Sequence, residues 1–326
     1  ARAHSGRDEI AIVDGSHAWL VDDAPRAGGP AMGSDARSSR AVAKGRGAFD
    51  AWFHSIPRND ANAFEELLCR RRDRIGALLI EPIPLSPAQP ALDADTLASL
   101  RSLCDRFEVA LIVDESATGF RIARGGAQQA FDVRADLCTF GPSLANGYPI
   151  AALAGSEPIM RRFGKQVAQG IGSAAHPLSL AVADKTLQLL EETDALERIA
   201  KYGSRMREGL SQVLTRRGIP HSLTGPPAMI RLGVSGLPQP VDGNRSVGER
   251  AFASALAPRL QASGILCEPD LDAPWFVSAA HNELCLAETL AKFEHATDAV
   301  LELQSGAPGR SARAAARRAS AFASPS

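Results

Sequence analysis

An α/β architecture, a mostly parallel sheet in three layers with a smaller α+β part after it, is predicted by two features of the sequence. The first is a set of short, continuous apolar runs: "RIGALLIEP" (74–82), "EVALIVDES" (108–116), "ADLCTFG" (135–141) and "PIAALAG" (149–155). A strand covered on both faces reads as apolar throughout, whereas a half-exposed strand alternates. The second is the amphipathic helical spacing that separates these runs, which is the pattern of strands joined by covering helices.

Element by element, the chain opens "ARAHSGRDEI", without an initiator Met, and passes almost at once into the strand-like "EIAIVDG". That start reads as a chain entering a larger fold late. The run at 74–82 ends at Glu81-Pro82, where proline stops a ladder. In "DADTLASLRSLCDRF" (93–107), Leu97, Leu100, Leu103 and Phe107 share one helical face, and Asp93 or Asp95 can cap it. The run at 108–116 ends in Asp114-Glu115. Ligands of open α/β sheets bind at the carboxyl ends of strands, so Glu81, Asp114 and Glu115 stand where a site would form. "DLCTFGPSLANGYPIAALAG" (136–155) reads as a buried strand, a turn at Gly141-Pro142, a polar loop and a second apolar strand.

Helical patterns resume over 178–192 and continue to Gly218. Strands are expected at 228–234 and 274–280, with helices at 247–264 and from Glu283 onward. The domains expected are a large one over 1–193, N-terminally incomplete, and a small C-terminal one over 194–304. Residues 305–326, rich in Ala, Ser and Arg with no acid, read as a disordered basic tail.

Several function classes are disfavoured. Net charge is −1 over 326 residues, so the chain as a whole offers no broad basic face to nucleic acid or a membrane. The five cysteines are widely spaced and mostly inside apolar runs, which suits buried thiols in a reducing, cytoplasmic setting. Neither a Gly-x-Gly-x-x-Gly after a strand nor a Walker loop occurs, and the seven histidines have no metal-ligand spacing. "GPSLANG" lacks the Gly-x-Ser-x-Gly elbow. His176 and His281 read as structural or surface residues.

One constellation remains. "LLIEP", "VALIVDESATGFR" (109–121) and "TFGPSLANGYPIAALAG" occur in that order, with "PWFVSAAHNEL" and "ETL" near the end. Together they resemble the class III aminotransferases, fold-type I enzymes dependent on pyridoxal 5′-phosphate, with the flavour of glutamate-1-semialdehyde aminomutase. The family carries Asp-Glu-Val-x-Thr-Gly-Phe-Arg; this chain has "DESATGFR". The resemblance covers residue 1 to about 303.

The resemblance implies roles, position by position. Asp114 matches the aspartate that pairs with the pyridine nitrogen and keeps it protonated, which lets the ring act as an electron sink. His17 falls where the family stacks an aromatic ring on the cofactor. Ser116 takes the place of an apolar residue on the ring's opposite face. Ala117 stands where many relatives reach the ring hydroxyl. Ser173 is a candidate for the phosphate-binding hydroxyl that one subunit lends its neighbour. The family's Gly-rich phosphate loop belongs to a segment ahead of Ala1. Pro142 matches the lysine that forms the Schiff base and moves protons. Proline has no amine and can do neither. No catalytic residue is therefore assigned, and no metal ligand.

Three functions follow as expectations. The first is a degenerate class III aminotransferase-like protein, a pseudoenzyme without transamination, with pyridoxal 5′-phosphate or pyridoxamine 5′-phosphate held weakly or lost. The second is an active aminotransferase or aminomutase that borrows an amine from elsewhere, such as Lys165 or a partner chain, and acts on a small amino or keto compound. The third is an α/β binding or scaffold module whose Arg-rich tail engages an acidic partner. The resemblance also implies a homodimer.

Overall fold

The computed structural model describes residues 1–16, 52–85, 89–163, 176–234, 247–269, 271 and 273–304. Two compact units divide the chain, Ala1–Leu196 and Glu197–Ser326.

The first unit is built on a sheet of β1 (Glu9–Val13), β2 (Phe53–Ile56), β3 (Ile75–Ile80), β4 (Ala110–Glu115), β5 (Leu137–Phe140) and β6 (Ala152–Gly155), in the spatial order β2-β1-β3-β4-β5-β6. Every neighbouring pair is parallel except β5–β6. The expected mostly parallel sheet is thus present. β2 is an addition that the sequence pattern did not reveal, because "FHSI" is too short and polar for a continuous apolar run.

Parallel strands need cover on both faces, and the side chains divide accordingly. Leu78, Ile80, Leu111 and Val113 pack with Phe64 and Leu68 of α2 (Ala61–Arg71) and with Leu97 and Leu100 of α3 (Ala94–Phe107). On the opposite face the smaller Ala77 and Ala110 join Leu137 and Ile159, with Ala1, Ile10, Ile112 and Met160 beside them. α1 (Arg2–Ser5) and α5 (Glu157–Met160) supply part of that cover.

α3 shows why the local signals were legible. The Asp93 carboxylate caps it by accepting the Thr96 N–H at 2.7 Å. Its buried stripe is Leu97, Leu100, Leu103 and Cys104, and Glu108 ends it in the left-handed region at φ 54°. β6 departs from expectation. It is apolar in sequence, yet Leu153, Ala154 and Gly155 are exposed because the strand forms the antiparallel edge.

α6 (Pro177–Glu192) and α7 (Ala195–Arg216) follow after the short α4 (Gly126–Ala130) and α5. They are separate helices. At Thr193 the backbone is extended, and its N–H donates to Leu189 O.

The second unit has an antiparallel sheet of β7 (His221–Thr224), β8 (Met229–Val234) and β9 (Trp275–Phe276), in the order β7-β8-β9, with α8 (Val247–Ala262) and α9 (Glu283–Gln304). Leu210, Leu214, Phe252, Leu256, Leu260, Phe293 and Val300 are fully buried there. The strand expected over 274–280 is only two residues long. Beyond it the Ser278 N–H donates to the ring of His281 in a local turn.

The cysteines are less uniformly buried than their apolar surroundings suggest. Cys104 and Cys138 are buried, Cys69 is exposed, and Cys267 and Cys285 are intermediate. Among the described residues no helix is long and apolar enough to cross a membrane, and no group of His, Cys, Asp or Glu could hold a metal ion.

Candidate functional site

The sheet brings the two informative stretches of sequence together. β4 and β5 are parallel, and their register pairs Asp114 with Thr139 and Glu115 with Phe140. The "DESATGFR" turn and the Gly141-Pro142 turn therefore leave the sheet side by side at its carboxyl edge.

Asp114, half-buried, sends Oδ1 to two donors: the Ser116 N–H at 2.9 Å and the Thr139 hydroxyl at 2.9 Å. Its other oxygen, Oδ2, accepts no hydrogen bond from the described residues, and no described cation pairs with it. The carboxylate is thus fixed in direction and retains one acceptor. Thr139 was missed by sequence reading. Its signal was a hydroxyl inside an otherwise apolar run, but assigning its partner needs the register.

Glu115 behaves differently. It is 0% exposed, and its carboxylate turns back into the protein rather than toward a ligand. It accepts the Ala127 N–H at 2.9 Å, the Gln128 N–H at 3.0 Å and the Thr118 hydroxyl. Gly126 adopts φ +65°, and a Cβ there would lie 2.4–2.6 Å from the Glu115 carboxylate. Glu81 also stays inward at 2% exposure. Its N–H donates to the Ser16 hydroxyl at 3.0 Å, and its carbonyl accepts from Arg58. Arg58 further reaches Asp14 O and Pro82 O, both at 3.0 Å, and so ties together the carboxyl ends of β1 and β3. Of the three acids expected at strand ends, Glu81 and Glu115 are buried, whereas Asp114 is half-buried and keeps an oxygen that no described residue occupies.

After β5 the chain enters a short 3₁₀ turn, Pro142–Ala145, with Pro142 at its first position. Proline suits that position because its fixed φ matches the turn and its missing N–H is not needed there. Pro142 is exposed, whereas Ser143, Leu144 and Ala145 are buried. The Ser143 hydroxyl donates to Gly119 O at 2.6 Å and so joins the two turns. Gly119 itself has no room for a side chain: a Cβ would stand 2.7 Å from the Phe140 ring. The Phe120 and Phe140 rings pack together beside it, tilted by 35° with centroids 5.0 Å apart.

The structure therefore gathers Asp114, Ser116, Thr139 and the Pro142 turn in one place. Ala117 is buried and carries no polar group. His17, Lys165 and Ser173 lie outside the described residues.

A fit test for a pyridinium-type cofactor gives two answers. The open Oδ2 of a carboxylate whose other oxygen is already satisfied is a suitable acceptor for a ring N–H. Covalent attachment to residue 142 does not fit, because the side chain there has no nucleophilic nitrogen.

Comparison with known proteins adds the family. The family model for Aminotransferase class-III matches residues 32–293. Over 298 residues the chain is 30% identical to the glutamate-1-semialdehyde 2,1-aminomutase of Methanothrix thermoacetophila, covering 90% of this chain and 68% of that protein. It is 31% identical over 303 residues to the same-named protein of Methanopyrus kandleri, covering 91% and 69%. Against that of Halorubrum lacusprofundi it is 30% identical over 234 residues, 71% of this chain but only 52% of the relative. Among solved structures, the Sphingopyxis FumI protein in its PLP internal aldimine form superposes with TM-score 0.74 at 25% identity, over 94% of this chain and 68% of that one. A transaminase with PLP bound gives 0.77 at 25% identity, over 92% and 69%. With the sheet order, the turn geometry and a family match spanning most of its length in agreement, the chain belongs to the class III aminotransferases.

Proposed function

We propose that this chain is a degenerate class III aminotransferase whose site can receive the pyridoxal 5′-phosphate or pyridoxamine 5′-phosphate ring without bonding to it, and which does not transaminate. One observation carries the reading: a proline opens the turn after β5, beside an Asp114 that is otherwise ready.

When bound, pyridoxal 5′-phosphate supplies an electron sink for charge developing at a substrate carbon. The chain's own residues would do only part of what that chemistry needs. Asp114 would hold a proton on the ring nitrogen. Thr139 and the Ser116 N–H keep the carboxylate aimed. Nothing at position 142 can take or give a proton. Positioned acid–base help is typically worth about 10²–10⁴ in rate, and covalent catalysis adds to it, so losing both removes turnover. Family membership supports a small amino or keto compound as ligand and a homodimeric assembly in the cytoplasm as further parts of the reading.

The test is chemical. The purified protein is incubated with pyridoxal 5′-phosphate, reduced with borohydride and mapped by mass spectrometry. No single residue is expected to carry a stoichiometric pyridoxyl group. Pyridoxamine 5′-phosphate, followed by its fluorescence, should bind saturably, and Asp114→Ala should weaken that binding by roughly tenfold, as expected for one charged hydrogen bond. A stoichiometric pyridoxyl group on Lys165, together with turnover lost in Lys165→Ala, would replace this reading with the active one.

A further inference from the structure

We propose that Glu115 is a positioning residue for the turn that carries residue 142, acting through Thr118, Gly119 and Ser143, so that the setting of the missing amine is preserved although the amine is not. The proposal rests on the reading of residue 142 given above, and it concerns the scaffold rather than the reaction.

The linkage is continuous. Glu115 leaves the end of β4 and buries its carboxylate completely. It takes the Thr118 hydroxyl and the N–H groups of Ala127 and Gln128, which close the turn over 116–128. Within that turn the Gly119 N–H donates to Glu115 O at 2.8 Å. The Gly119 carbonyl then receives the Ser143 hydroxyl at 2.6 Å. Ser143 directly follows Pro142, and the turn closes on itself through Leu144 N–H to Gly141 O at 3.0 Å and Gly147 N–H to Pro142 O at 3.2 Å. Gly141 is pressed on the same turn: a Cβ there would meet Ser116 Cβ at 3.2 Å.

Burial makes the linkage consequential. A wholly buried carboxylate is tolerated only when its acceptors are filled, and here they are filled by donors from a turn rather than by a described cation. Moving the 116–119 segment would strand both Glu115 and Ser143. The segment is therefore held in one arrangement, and with it the spacing between Asp114 and residue 142. Glu115 touches no ligand in this account; it fixes what does.

Two measurements test it. The first needs no cofactor. Amide hydrogen exchange at Leu144 and Gly147 is compared in wild type, Glu115→Gln, Ser143→Ala and the control Glu157→Gln, which alters an exposed pair with Arg161. Both test variants should raise exchange at these two amides by roughly tenfold, the size of one lost charged or buried hydrogen bond, while the control leaves it unchanged. If either test variant leaves both amides as protected as in wild type, the linkage does not exist. Ser143→Ala keeps the experiment decisive if Glu115→Gln fails to fold.

The second measurement installs a reporter. Pro142→Lys, treated with pyridoxal 5′-phosphate and borohydride, should carry the pyridoxyl group at position 142. The pH midpoint of its absorbance band should move when Glu115→Gln or Ser143→Ala is added, which a change in stability alone would not cause. No label at position 142, or a midpoint insensitive to both additions, overturns the proposal. Labelling of the unmodified chain would instead overturn the reading under Proposed function, so the two failures are distinguishable.

Discussion

Two carboxylates are wholly buried in one sheet, and they are neutralised in opposite ways. Glu9, at the amino end of β1, is held by two cations, Arg71 at 3.1 Å and Arg74 at 2.6 Å, and meets the His54 ring at 2.7 Å. Glu115, at the carboxyl end of β4, is satisfied by backbone N–H groups and a hydroxyl. Both are 0% exposed. The difference separates the two edges by purpose. An ion cluster locks the amino edge, where nothing need bind. At the carboxyl edge a neutral clamp satisfies Glu115 without placing a positive charge against Asp114, whose Oδ2 stays available. The same residue type in the same sheet thus serves as a closed structural pair in one place and as support for an open site in the other.

The contrast can be broken by measurement. The largest effect is expected from Glu115→Ala, which strands the Thr118 hydroxyl, the buried Ala127 N–H and the part-buried Gln128 N–H. At about 1–3 kcal/mol for each unsatisfied group, the loss should be about 3 kcal/mol or more, read as a shift of the urea midpoint. It should be nearly the same in low and high salt, because no exposed charge takes part.

Glu9→Gln should cost less, about 1–3 kcal/mol, since the Arg71 and Arg74 side chains are 39% and 64% exposed and can return to water. Its cost should shrink at about 1 M salt, where the screening length falls to about 3 Å. If the cost of Glu115→Ala shrinks with it, the two carboxylates are not distinguished as described here.

The smallest effect belongs to an exposed carboxylate with neither cation nor burial. Asp93 caps α3, and the Thr96 N–H and hydroxyl hold its carboxyl below the ordinary value of 3.8. A carboxyl lowered by folding stabilises the native state above its unfolded value, and that contribution is lost as pH falls through the folded one. Asp93→Ala should therefore cost about 1 kcal/mol near neutral pH, and the gap from wild type should close below about pH 4. An unchanged gap in acid would mean that the cap works through shape rather than charge.

Much of the fold was readable in the residues. The apolar runs of β3, β4 and β5 have no polar alternative, and the spacing of Leu97, Leu100 and Leu103 admits one helical face. Asp114 was readable because an acid ending an apolar strand beside a Thr-Gly turn is a compact local signal. The rest was not local. "FHSI" (53–56) and "HSLT" (221–224) become strands because a neighbouring strand offers unpaired backbone groups, which residue hydropathy does not report. "ALAG" (152–155) has the apolar composition of a buried strand, but edge position decides its exposure.

By itself the sequence determined the α/β class, the order of the main elements, and the placement of Asp114 beyond an apolar strand with a proline soon after the next one. Those properties follow from the period of apolar residues and from the geometry of single residues, which neighbours in sequence suffice to specify. The tertiary structure alone decided that Thr139 faces Asp114, that Glu115 turns inward, and that Ser143 is bonded to Gly119. A hydroxyl or carboxylate has many acceptable partners, and only strand register and burial select one of them.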